Sequence, residues 1–165
     1  MAPDPRMKVI GVGNAWRGDD AAGLLVARHL RKEPLPGVTV CESQATPGEL
    51  QDAWKDADRV IVVDAVASGG PPGTIYRFDA HAGEVPVELS RSPSSHGWGV
   101  AEALALGRVL EELPACLIIY GIAGRNFDPG QDLSPEVAAA IPEAVRRIKG
   151  EIQEWLRGAS ATLRK

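Results

Sequence analysis

Five short runs rich in β-branched and aliphatic residues punctuate the chain: KVIG at 8–11, VTVC at 38–41, RVIVVD at 59–64, TIYRF at 74–78 and LIIY at 117–120. Segments long enough for helices separate most of them. That alternation predicts an α/β domain, because a strand can join its neighbour in parallel only through a crossover, and the crossover helix then covers a face of the sheet. The fourth run is the exception. It follows the third through SGGPPG, too short for a helical crossover, and it is the most polar of the five. It is therefore expected to be antiparallel and near an edge. The fold expected is a single α/β domain with a mainly parallel five-stranded twisted sheet, one antiparallel strand, and helices on both faces.

A chain of 165 residues suits one domain and can bury roughly two-thirds of the surface its unfolded form exposes. The domain is taken to span 1–165 with a core over about 7–157, leaving 1–6 and 158–165 as flexible ends. Two helix starts are written into the sequence. Thr46, Pro47 and Glu49 have the order of an N-cap hydroxyl, a first-turn proline and a capping-box carboxylate. Ser134-Pro-Glu opens the last helix in a similar way, and Val137, Ile141, Val145, Ile148, Ile152 and Trp155 recur along it at helical spacing, with Pro142 expected to kink it.

Charge and hydropathy remove several functional classes. A formal net charge of −4 supplies no general field for nucleic acid. The opening MAPDPRMKVI lacks the apolar core of a signal peptide, and no later run is long enough to span a bilayer, so a cytoplasmic protein is expected. Cys41 and Cys116 sit in apolar runs without zinc-knuckle spacing and read as buried free thiols.

The residues with chemical potential fall where a parallel sheet binds ligands, at the carboxyl ends of its strands. GVGNAWRGDD follows the first run, Asp64 ends the third, and His96 in RSPSSHGWGV precedes a helix. Either aspartate of the Asp19-Asp20 pair could cap the helix that follows, and the reading adopted is that Asp19 caps while Asp20 points outward. Near a helix N-terminus an imidazole is kept neutral, the form that ligates metals. Two carboxylates and one imidazole suit zinc or nickel and leave coordination positions for water or a substrate carbonyl. His29 reads as a packed polar group on a helix and His81 as an exposed loop residue. Gly11-x-Gly13 lacks the third glycine of a dinucleotide fingerprint, Trp16 standing in its place, and there is no phosphate-loop lysine.

GVGNAWRGDDAAG, VIVVDAV, SSHGWGVAEAL and YGIAGRNFDPGQDLSPEV, in this order, resemble the hydrogenase maturation proteases. The resemblance runs from about residue 7 to residue 155. It implies an endopeptidase that removes a C-terminal peptide from the nickel-loaded large-subunit precursor of a [NiFe] hydrogenase. It implies further that Asp20, Asp64 and His96 contact the metal and carry the chemistry, with nickel supplied by the precursor. Other divalent metals are candidates for the same site in vitro. Trp16, where relatives carry a smaller aliphatic residue, and Trp98 depart from the family pattern. The alternatives are a non-catalytic nickel-binding accessory protein for hydrogenase assembly and a nucleotide-binding module built on Gly11 and Gly13.

Overall fold

The computed structural model describes residues 6–46, 48–90 and 99–163. The five runs become β1 (Met7–Val12), β2 (Val38–Ser43), β3 (Arg59–Val66), β4 (Ile75–Asp79) and β5 (Cys116–Ala123). They form one sheet in the order β2-β1-β3-β5-β4. β1 pairs in parallel with β2 and β3, and β3 in parallel with β5. β4 lies antiparallel on the edge, as its short connection predicts, but its partner is β5 and not the preceding strand.

Side-chain alternation along β3 divides the core in two. Ile61, Val63 and Ala65 face α1 (Ala22–Lys32) and α5 (Pro135–Leu163), where Val26, Leu30, Ile141 and Ile148 are buried. Val60, Val62 and Val66 face the other way, toward α2 (Glu49–Trp54), α3 (Val87–Ser90) and α4 (Val100–Val109), with Leu50, Trp54 and Leu104 packed on them. Each large side chain fully buried in this way contributes about 1.5–3 kcal/mol. Asp64 belongs by alternation to the second face. β3 continues past it to Val66 because β5 goes on pairing with it, Asp64 opposite Gly121 and Val66 opposite Ala123, so a carboxylate that reads as a strand end in sequence is held inside the strand.

Two details of the helices differ from the sequence reading. α2 starts at Glu49 behind a left-handed Gly48, and Thr46 is not its cap: the Thr46 hydroxyl donates to the Glu49 carboxylate at 2.6 Å. Pro142 lies inside α5 on its exposed side, where the carbonyl it leaves unpaired can bond to water. α5 also runs on to Leu163, because the lone Gly158 costs a helix only about 1 kcal/mol and no proline follows it.

A glycine seam sets the distance between α1 and the sheet. A Cβ on Gly23 would lie 2.3 Å from the Val63 carbonyl and 2.5 Å from that of Val12, and one on Gly11 would lie 2.4 Å from the Gly23 carbonyl. The helix therefore enters directly over β1 and β3, beside the two acidic segments. Gly23→Ala is expected to force this packing apart at a cost of about 1–3 kcal/mol, read as a lower melting temperature.

Candidate active site

The strand order reverses between β1 and β3: β1 has its successor β2 on one side and β3 on the other. Loops leaving the carboxyl ends of these two strands diverge and open a crevice, the usual ligand position in such sheets. Asp20 comes from the turn after β1, and Asp64 from the end region of β3. The two acids anticipated in the sequence thus lie near enough for the Asp20 charge to act on Asp64.

Their environments explain what they can do. Asp64 is 7% exposed. Burial, and then the negative charge of Asp20, hold its carboxyl well above the ordinary carboxylate range, against one hydrogen bond from the Ala65 N–H. Asp20, half-buried in the 3-10 turn Gly18–Ala21, is also raised by burial, opposed by a hydrogen bond from the Asn14 N–H and by the nearby Arg17 charge. Both carboxyls therefore hold a proton more tightly than they would in water, and nearby positive charge would relieve the cost.

Asp19 has a different task from the one expected of it. It is fully buried, and α1 begins without any side-chain cap. Its carboxylate instead accepts hydrogen bonds from the Arg125 N–H (2.8 Å), the Asn126 N–H (3.0 Å), the Ser134 N–H (2.7 Å) and the Ser134 hydroxyl (2.5 Å). Burial disfavours its charge, but these bonds outweigh it and hold the carboxyl below the usual range. Asp19 is a clasp joining the acidic turn to the segment between β5 and α5. The clasp is two-sided: the Asp19 N–H donates to the Asn126 carbonyl (2.8 Å), the Gly130 N–H to that of Trp16 (2.8 Å), and Arg17 Nε to that of Phe127 (3.2 Å). A buried donor-acceptor set that spans more than a hundred residues of sequence is invisible to local capping rules. The only sequence signal is the polar stretch GRNFDPGQDLSP at the same edge of the sheet.

His96, the third expected ligand, and Trp98 lie outside the described residues. Among the described residues no three metal-binding side chains cluster. The segment bearing His96 leads into α4, which covers the face of β3 to which Asp64 belongs. At that helix start the Gly99 N–H donates to Glu102 at 2.7 Å.

The remaining candidates lie elsewhere. His29 is exposed and not packed as expected, because it falls just outside the buried stripe of Val26, Ala27 and Leu30. His81 is an exposed loop residue whose Nε2–H donates to the Pro114 carbonyl (2.8 Å). Cys41 and Cys116 are free and half-buried, and burial pushes both thiols up, away from the nucleophilic thiolate. Cys41→Ser, Cys116→Ser and His29→Ala are each expected to retain full peptidase activity, measured as turnover per folded molecule.

The Gly11–Gly13 turn is committed to packing and not to phosphates. A Cβ on Gly13, whose φ is +154°, would lie 1.9 Å from the Asp20 carbonyl. The turn brings the backbone together and delivers a carboxylate, where an anion would need free N–H groups.

A five-stranded mixed sheet with two acids near its switch point, Asp64 raised by burial and by the Asp20 charge and Asp20 raised by burial, defines the class, an α/β domain with an acidic site. The profile of the hydrogenase maturation protease family matches residues 24–151, and the chain belongs to that family. It is 30% identical to the hydrogenase 2 maturation protease of Escherichia coli, over 90% of this chain and 92% of the relative. It is 31% identical to the hydrogenase expression/formation protein HupD of Thiocapsa roseopersicina, over 88% of this chain but only 66% of that longer protein. The fold superimposes on the hydrogenase maturating endopeptidase HybD from E. coli with a TM-score of 0.77 at 28% identity, covering 90% of this chain and 93% of the other. With the [NiFe] hydrogenase maturation protease HybD from Thermococcus kodakarensis the TM-score is 0.64 at 27% identity, over 88% and 97% of the two chains. The protein is a peptidase of this family, and no described helix is long and apolar enough to cross a membrane.

Proposed function

We propose that the protein is a cytoplasmic endopeptidase that removes a C-terminal peptide from the nickel-loaded large-subunit precursor of a [NiFe] hydrogenase. In this reading the nickel belongs to the substrate, and Asp20, Asp64 and His96 recognise it as a sign that the metal centre is assembled. The observation that carries the reading is the Asp20–Asp64 pair, two carboxylates in one crevice whose raised affinity for protons marks a need for positive charge. A cation carried in by the precursor supplies that charge and, once bound, can polarise the scissile carbonyl or activate water. The chain's own part is to hold the acids in position through the Gly11–Gly23 seam and the Asp19 clasp, so that little reorganisation is needed on binding. An aspartyl-type proton transfer then falls to Asp20, the more accessible of the pair. Incubation of the purified protein with the nickel-loaded precursor from the same cell tests this, the expected result being a small mass loss at the precursor C-terminus.

A further inference from the structure

Beside the acid pair runs a groove of about 350 Å³, bounded by the turn after β1, the end of β2 and the start of α2. Asn14 connects the two features, since it lines the groove while its N–H donates to Asp20. At the rim stands Trp16, 81% exposed, the most exposed of the large apolar side chains among the described residues. Its exposure is not the result of a loose loop. The Trp16 N–H donates to Asn14 Oδ1 at 2.9 Å, its carbonyl accepts from the Gly130 N–H at 2.8 Å, and the neighbouring Arg17 is tied to Phe127. The backbone is pinned on both sides and the indole is held out over the groove's edge. An aromatic ring presented on a rigid turn loses little entropy when a partner covers it.

The groove also has a sign. Arg28, the one cation lining it among the described residues, is already paired with Glu42 at 2.9 Å. Glu49 lines the same groove and has no basic partner among the described residues. Its carboxylate accepts from the Thr46 hydroxyl (2.6 Å) and the Gln44 N–H (3.1 Å), bonds that favour the ionised form. An ionised carboxylate and an aromatic face in one groove attract the same kind of group, a cation with an apolar stem.

We infer that this groove binds the stretch of the precursor adjoining the scissile bond, with Trp16 and Glu49 together receiving a basic side chain of that stretch. The inference rests on the peptidase reading of the acid pair and adds a specificity subsite to it. Trp16 acts through binding and takes no part in the chemistry.

The test measures both binding and cleavage of the nickel-loaded precursor for the wild type, Trp16→Ala, Trp16→Phe and Glu49→Gln, with thermal melts as a check on folding. Trp16→Ala is expected to raise Kd and KM by roughly tenfold, the scale of one aromatic-cation contact at an interface, with kcat and melting temperature unchanged. Trp16→Phe should recover most of the loss, and Glu49→Gln should weaken binding severalfold. A precursor whose basic residues near the cleavage site are changed to glutamine should bind the wild type more weakly while losing nothing further with Trp16→Ala, the coupling expected of groups in contact. Unchanged Kd and KM in Trp16→Ala would overturn the subsite and leave the peptidase reading intact, as would a charge-neutralised precursor that binds as tightly as the original. Binding that depends on Trp16 without any cleavage by the wild type would support the groove and overturn the peptidase reading.

Discussion

Asp19→Ala is expected to destabilise the fold by about 3–5 kcal/mol, because it strands donors of Arg125, Asn126 and Ser134 whose loss of a partner costs about 1–3 kcal/mol each when buried. For a domain of this size the melting temperature should fall by roughly 10 °C or more. An ordinary helix cap would have cost only about 1 kcal/mol. The effect depends on pH in a definite direction. The folded carboxyl lies below its unfolded value, so the stability it contributes is complete above the unfolded pKa of about 3.9 and is lost as pH falls through the folded value. Urea melts of the wild type and Asp19→Asn should therefore differ most near neutrality and converge in acid. Cleavage per folded molecule should also drop, since the clasp holds the turn that carries Asp20.

Asp64→Asn is expected to do the reverse, raising stability while abolishing processing. Asp64 is buried and faces the Asp20 charge, so its folded pKa lies above the unfolded one. Such a group imposes no cost below the unfolded pKa and an increasing cost as pH rises through the folded value. A neutral amide of the same shape removes that cost, with a gain of about 0.5–2 kcal/mol at neutral pH, in the range seen when a strained functional site is relaxed. Loss of one of the three groups proposed to recognise the metal should bring precursor cleavage below detection. Asp20→Ala should likewise end cleavage with little change in melting temperature, as it is only half-buried and holds no other element in place. A thermal melt and a processing assay on the same preparations read both halves. Destabilisation by Asp64→Asn would mean that its carboxylate has a structural partner after all.

These contrasts mark what the sequence could and could not convey. The five strands, the antiparallel edge and the convergence of Asp20 with Asp64 were all legible, because each follows from local pattern plus the topology of parallel sheets. Local pattern ends β3 at Asp64, since propensity cannot register that β5 goes on pairing with it as far as Val66. The role of Asp19 was misread for a related reason. An aspartate before a helix fits a cap, whereas its true partners lie across the chain in the segment before α5. His29 was placed inside by its neighbours on α1, yet one step around the helix separates the buried stripe from solvent. The close packing of the Gly11–Gly13 turn against Gly23 and Asp20 needs the third dimension and has no local signal beyond the glycines themselves.

The central claim is that the acid pair reads a metal that the substrate brings. Its most direct test is the intact mass of the large-subunit precursor after incubation with the wild-type protein, for nickel-loaded and nickel-free precursor in parallel. C-terminal mass loss is expected from the nickel-loaded form alone, and none when Asp20→Ala or Asp64→Asn replaces the wild type. Equal cleavage of both forms, or cleavage of the loaded form by either variant at the wild-type rate, would contradict it.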